Sequence, residues 1–139
     1  MAVKDLHNNI FVERALDMAA ITTDTTTVGN VIAMQGYDSV EFVLETGVVT
    51  DGDYSLILTE SATTDGTYTA VADADLLGTE PAFTANTDDQ ALGRVGYIGG
   101  LGFLKATILS ANTSTGATVA VLAIKGNKND APTPANGGV

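Results

Sequence analysis

Few side chains in this chain could do chemistry, and their types limit the chemistry available. The 139 residues include one histidine, His7, and no cysteine. A nucleophile–base device needs its base held in place by a third group. His7 sits in the polar opening stretch, so an incidental role is expected for it. A zinc site wants several His or Cys ligands, which the sequence does not supply. Carboxylates are abundant, with close pairs at Asp51/Asp53, Asp73/Asp75 and Asp88/Asp89. Each pair falls in a turn, where aspartate hydrogen-bonds its own backbone, and none lies in an apolar setting that would raise its pKa. A glycosidase pair is therefore not expected. The calcium-loop spacing with its terminal glutamate is also absent. Gly93, Gly96, Gly99, Gly100 and Gly102 do not make a phosphate cradle, because a strand rather than a helix is expected after them. No enzyme and no cofactor are expected.

What remains is a scaffold, and its strongest signal runs from Ser39 to Glu60. Val40, Phe42 and Leu44 alternate with Glu41, Val43 and Glu45; Tyr54, Leu56 and Leu58 alternate with Ser55, Ile57 and Thr59. Successive strand side chains point to opposite faces, so each run has one apolar face. The connector holds Gly47 and Asp51-Gly52-Asp53, so the two runs are expected to form an antiparallel hairpin.

Around this centre, Ile10 to Leu16 reads as a first strand, and Asp17 to Ile21 as a stretch open to a single helical turn. Thr22 to Asn30 reads as a loop, with too little apolar content to pack. Short strands are expected at Val31–Met34, Thr67–Val71 and Ala82–Ala85. Asp73 to Gly78 is expected to be a bend or helical turn capped by aspartate and ended by glycine, and Asn86 to Gln90 a polar turn. Further strands are expected at Ala91–Ile98, Leu101–Ser110 and Ala117–Lys125. The last is apolar on both faces, so it is expected to be central or interfacial. Eight or nine short strands with regular turn signals give an all-β fold, a two-sheet β-sandwich or jelly roll. The organisation expected is an N-terminal arm (1–9), a sandwich domain (10–125) and a C-terminal tail (126–139).

Abundant threonine and valine agree with a β fold. The net charge of −11 argues against nucleic acid as a partner, which requires a basic footprint. No apolar run is long enough to span a membrane, and the opening residues lack the apolar region of a signal peptide, so a soluble protein made in a cytoplasm is expected. No Lys or Arg occurs between Arg14 and Arg94, where fourteen of the acidic residues lie. This suggests a module whose ends face a partner. Most of the eight aromatic residues fall on expected core faces rather than on a sugar-stacking surface.

The opening Lys4-Asp5-Leu6-His7-Asn8-Asn9-Ile10 resembles a family of small tailed-bacteriophage virion proteins. So do Thr50 to Tyr54, Thr59-Glu60-Ser61, the long run from Asp65 to Pro81, and Arg94 to Ile98. These look like capsid decoration, or cement, proteins, similar to the jelly-roll type of a Bordetella phage. The resemblance implies a structural virion protein, made in the host bacterial cytoplasm, on the outer surface of the capsid. Its partner would be the major capsid protein, and it implies no active site. Lys4, His7, Asn8, Asn9, Arg14, Lys125 and Lys128 are the candidate capsid contacts. Val119, Val121 and Ile124 on the last strand are candidate self-association residues, in a homo-oligomer with a dimer favoured over a trimer. Another β-sandwich virion component, of the tail or head–tail junction, is the alternative, and a carbohydrate-binding module is the third reading.

Overall fold

The two alternating runs at the centre of the chain form strands, but they do not pair with each other. The computed structural model describes residues 4–84 and 90–128. In chain order the strands are β1 (Ile10–Ile21), β2 (Thr26–Val28), β3 (Ile32–Ala33), β4 (Tyr37–Val49), β5 (Asp53–Ser61), β6 (Thr69–Ala70), β7 (Leu76–Leu77), β8 (Ala82–Thr84), β9 (Leu92–Tyr97), β10 (Phe103–Ala111) and β11 (Ala117–Lys128). Among the described residues they make two sheets. One has the order β1-β11-β4-β9-β7, and the other β2-β10-β5-β6, with β3 also on β10 and β8 also on β5. Every pairing is antiparallel.

The expected hairpin is thus replaced by an arch: β4 lies in the first sheet and β5 in the second. Alternation states which side chains face inward, but it does not choose the neighbour that supplies the backbone hydrogen bonds. Both apolar faces are satisfied by facing each other across the core. Phe42 and Leu44 meet the layer of Tyr54, Leu56 and Leu58, with Leu104, Ala106, Ile108, Val119, Val121 and Val95 filling the rest, all buried.

The strand order selects the jelly roll from the two all-β forms. The first strand pairs with the last (β1 with β11), β2 with β10 and β4 with β9, while β5 takes β6 and β8. That is one long antiparallel pair rolled over itself, the two-Greek-key arrangement. The last strand is central in its sheet, between β1 and β4, and only its inner face is enclosed.

Local departures from expectation have local causes. Asp17 to Ile21 stays in β1, and the irregularity there is a register shift rather than a helical turn. Leu16 faces Val121 and Ala19 faces Val119, so Asp17 and Met18 share the space opposite Ala120. The threonine-rich stretch expected as loop contains β2. Its backbone pairs with Thr107 to Leu109, and Ser110 fixes the entry by accepting from Thr25 N (3.0 Å) and donating to Thr23 O (2.8 Å). Asp73–Asp75 is a 3-10 turn, but Ala72 rather than an aspartate occupies its N-cap.

Between β6 and β8 a side chain stands in for a strand. Glu80 Oε1 accepts from Leu58 N at 2.7 Å, beside the backbone bond from Leu56 N to Pro81 O at 2.9 Å. The edge of β5 is thereby closed by a carboxylate. Burial raises the pKa of Glu80 above its usual value; the Leu58 bond opposes this and nearby Asp73 adds to it.

Two arches cross between the sheets at one end of the sandwich, β4 to β5 and β10 to β11. Asp51, in the first, accepts from Ser114 Oγ (2.6 Å), Ser114 N (3.0 Å), Thr115 N (2.9 Å) and Gly116 N (2.8 Å), all in the second. These bonds hold the Asp51 carboxyl well below the ordinary carboxylate range. Gly52 follows at φ +100°, and a Cβ there would lie 2.6 Å from Thr113 Oγ1 and 2.8 Å from the Tyr54 hydroxyl. Only glycine fits both the backbone and the space.

Two predictions follow from these carboxylates, with opposite signs. Asp51→Ala lowers the melting temperature at neutral pH. A depressed folded pKa contributes stability that is fully present above the unfolded value of 3.8 and is lost as pH falls below it, so thermal melts of wild type and variant converge in acid. Glu80→Ala costs about 1–2 kcal/mol, because the Leu58 N–H loses its acceptor. Glu80→Gln keeps the acceptor and removes a partly desolvated charge, so it is more stable than wild type at neutral pH. That advantage shrinks as acid protonates Glu80, in melts run across the same pH range.

Candidate functional site

The register of β1, β11 and β4 brings the two ends of the described chain together. Ile10 lies opposite Gly126, Gly126 opposite Ser39, and Lys128 opposite Tyr37. The residues before Ile10 and those around Lys128 therefore share one pole of the sandwich. The described part of the expected arm contains a turn closed by Asp5. The Asp5 carboxylate accepts from Asn8 N at 3.0 Å and from Asn8 Nδ2 at 2.7 Å, while Asn9 N donates to Leu6 O at 3.0 Å and Asn9 Nδ2 to Asp5 O. The Asn8 bonds pull the Asp5 pKa below its usual value. Lys4, His7, Asn8 and Asn9 are all exposed there. Asn127 Nδ2 donates to Ser39 Oγ at 3.1 Å and ties the C-terminal side of the pole to β4.

Lys125 is not part of this surface. On β11 the inward phase runs Ala117, Val119, Val121, Ala123, Lys125, all buried. Its ammonium lies 2.8 Å from Glu13 Oε2 and donates to Ala33 O at 3.0 Å. The Tyr37 and Phe11 rings lie 4.7 and 5.1 Å away, close enough for cation–π attraction. A lysine 7% exposed and ligated by three elements is internal structure, so its assignment as a capsid contact is corrected. The same phase corrects two self-association candidates, since Val119 and Val121 are consumed by the core. Ile124 stands on the outer face, half-buried. The signal for this was legible: Lys125 falls in step with the apolar inward positions of its own strand.

Arg14 is exposed on the outer face of the five-stranded sheet rather than at the pole, across the register from Leu122. Leu122 and Leu92, both exposed on that face, and Met18 in the bulge are not among the residues expected as contacts, although Leu122 lies in the strand expected to be central or interfacial. The alternation of Ala120, Leu122 and Ile124 with the core residues of β11 was the signal that could have found this face.

The remaining candidates for chemistry are occupied by structure. At the pole opposite the chain ends, Asp24 Oδ1 accepts from Thr113 N at 2.7 Å and Asp53 Oδ2 from Asn112 Nδ2 at 2.7 Å, alongside Asp51. Asp51 and Asp53 thus bind a neighbouring loop rather than their own backbone. Asp88 and Asp89 lie outside the described residues. Among the described residues no three His, Asp or Glu side chains converge as metal ligands. Tyr97, on β9, donates its hydroxyl to Glu60 Oε2 of β5 at 2.5 Å and accepts from Leu101 N at 3.0 Å, joining the two sheets. Burial first, and then the Glu60 bond, push its phenol up to about 12, so it stays a neutral donor. Of the aromatic residues, Phe42, Tyr54 and Tyr97 are buried, while Tyr68 lies under the Lys105 ammonium at 4.2 Å.

No protein-family model matches the chain, and no curated protein matches it either. Among solved structures it is similar to one of the infectious bursal disease virus Gx strain, at 14% identity and a TM-score of 0.48, over 88% of this chain and 33% of that one. It is also similar to the subviral particle of infectious bursal disease virus, at 14% identity and a TM-score of 0.27, over 86% of this chain and 41% of that one. The chain thus spans well under half the length of either. At these scores the likeness decides nothing, and the fold assignment rests on the strand order.

The internal ion pair makes a testable contrast. Glu13→Ala leaves the Lys125 charge inside the sandwich and costs about 3 kcal/mol. Lys125→Met replaces the charge with an apolar chain of similar length, and its stability falls within about 1 kcal/mol of wild type. Urea unfolding of the two variants against wild type measures both differences.

Proposed function

We propose that this chain is a structural virion protein that binds the outside of an assembled phage capsid and cements neighbouring major capsid protein subunits. The observation that carries the reading is the gathering of both chain ends at one pole. Lys4, His7, Asn8 and Asn9 on one side and Lys128 on the other share this pole, at the two ends of the described chain. The opposite pole carries Asp24, Asp51 and Asp53. In a chain of net charge −11, the terminal pole sets Lys4 and Lys128 against Asp5 and Asp38, so it is the less acidic of the two ends and the one an acidic surface repels least. Arg14 extends the same set toward the outer sheet face. Lys125 supports it from below by joining β1, β3 and β11.

The resemblance to cement proteins across most of the sequence agrees with this arrangement. A cement protein needs a stiff body and segments that reach adjacent subunits. Binding the assembled shell in preference to free subunits raises the shell's stability by linkage.

Purified protein is sedimented with phage heads that lack it, and the heads are then melted. Saturable binding in fixed ratio to the capsid subunit, with a higher melting temperature, is the expected result. Deleting residues 1–9 abolishes it, and raised salt weakens it. Absence of binding to heads sinks the reading and redirects it to a tail or head–tail component, with glycan binding tested next.

A further inference from the structure

The outer face of the five-stranded sheet carries a charge pattern not needed by the fold. One row across the strands, set by backbone register, reads Arg14, Leu122, Val43, Arg94 on β1, β11, β4 and β9. One column along β4 reads Glu41, Val43, Glu45, flanked on β11 by Ile124 and Ala120. Row and column cross at Val43. Strands lie about 4.8 Å apart, so the two arginines are about 14 Å apart; residues along a strand advance about 3.4 Å, so the two glutamates are also about 14 Å apart. Row and column match in overall length and are opposite in charge; Val43 is the midpoint of the column and lies half a strand spacing, about 2.4 Å, from the midpoint of the row, within reach of the long charged side chains.

We infer that this face binds a second copy of the same chain, with the two sheets crossing at about 90°, one of the two favoured ways for sheets to stack. A twofold axis in the plane of the face, at about 45° to the strands, lays the glutamate column of each copy over the arginine row of the other. Leu122, Val43 and Ile124 then pack at the centre. Stacking with strands aligned would instead set arginine over arginine or glutamate over glutamate, so the charges choose the crossed orientation.

The four charges sum to zero on a molecule of net charge −11. Two copies therefore meet here without the repulsion that their acidic loops would impose. Within one chain Arg94 reaches Glu41 only at 3.9 Å, with the arginine side chain 78% exposed, a surface pair readily exchanged for one across an interface. The inference shares only Arg14 with the proposed shell contacts and is read on the free protein, so it stands or falls separately from shell binding.

Sedimentation equilibrium tests it with the full chain in four samples: wild type, Arg14→Glu with Arg94→Glu, Glu41→Arg with Glu45→Arg, and the two variants mixed in equal amounts. The expected result is a dimer for wild type that weakens as salt is raised, monomers for each variant alone, and a dimer for the mixture. A monomeric wild type overturns the inference. So does a dimer that survives either double reversal, or a mixture that stays monomeric. Circular dichroism confirms that each variant is folded. The wild-type salt series stands as a test even if a variant fails to fold, because a dimer indifferent to salt also overturns it.

Discussion

Everything else in the jelly roll depends on the chain crossing between sheets at Asp51. A rolled double-layer fold requires arches instead of hairpins where strands change sheet, and an arch has no ladder of its own to close it. Here the two arches at one end close each other. The Asp51 carboxylate serves as shared acceptor for three consecutive N–H groups and a hydroxyl of the 114–116 segment. Asp24 and Asp53 grip the same loop one and two residues earlier. Backbone N–H groups of an arch lack ladder partners, and one carboxylate offers more acceptor positions than any backbone carbonyl, so Asp51 can serve several of them at once. The acidity of the chain thus has a structural use at this end.

The opposite end is closed by different means. Lys125 draws Glu13, Ala33 and the Phe11–Tyr37 ring pair, at 6.1 Å between centroids, around one buried charge. Tyr97 bridges to Glu60 across the core. Both devices replace apolar packing by satisfied polar contacts at the end of the core nearest Ile10 and Lys128. Such contacts add little net stability over an apolar core, but they are unforgiving of alternatives, since any other register would strand a charge.

Much of this was legible in the sequence, and what was not has a physical reason. The faces were legible: Val40, Phe42 and Leu44, and Tyr54, Leu56 and Leu58, are inward as their alternation states. The pairing was not, because period two is the same whether the partner lies beside a strand or across the core. β2 was hidden because Thr26–Val28 gains its place from the backbone of β10 rather than from its own side chains. The stretch after Leu16 was ambiguous because a bulge interrupts the alternation there. Among the candidate contact residues, Lys125 was misplaced by type: a lysine suggests a surface, but its phase on β11 places it inside. The gathering of Lys4 to Asn9 with Lys128 follows from the pairing of the first and last strands. No local pattern contains that information.

The same strand shows how one sequence can carry two surfaces. On β11 the odd positions from Ala117 to Ala123 are small or β-branched and fully enclosed. The even positions, Ala120, Leu122 and Ile124, are apolar without being enclosed. A central strand with one solvated face ordinarily alternates apolar with polar. A sandwich of two sheets leaves one face of each sheet outside, so the core cannot account for the outer apolar row. On the neighbouring strand the same outer face carries Glu41 and Glu45, and one row of it is bounded by Arg14 and Arg94. Apolar centre and charged margin is the composition of an interface core and rim. Outward apolar positions in register with outward charges are what the proposed contact with a second copy would use, and the core leaves them unexplained.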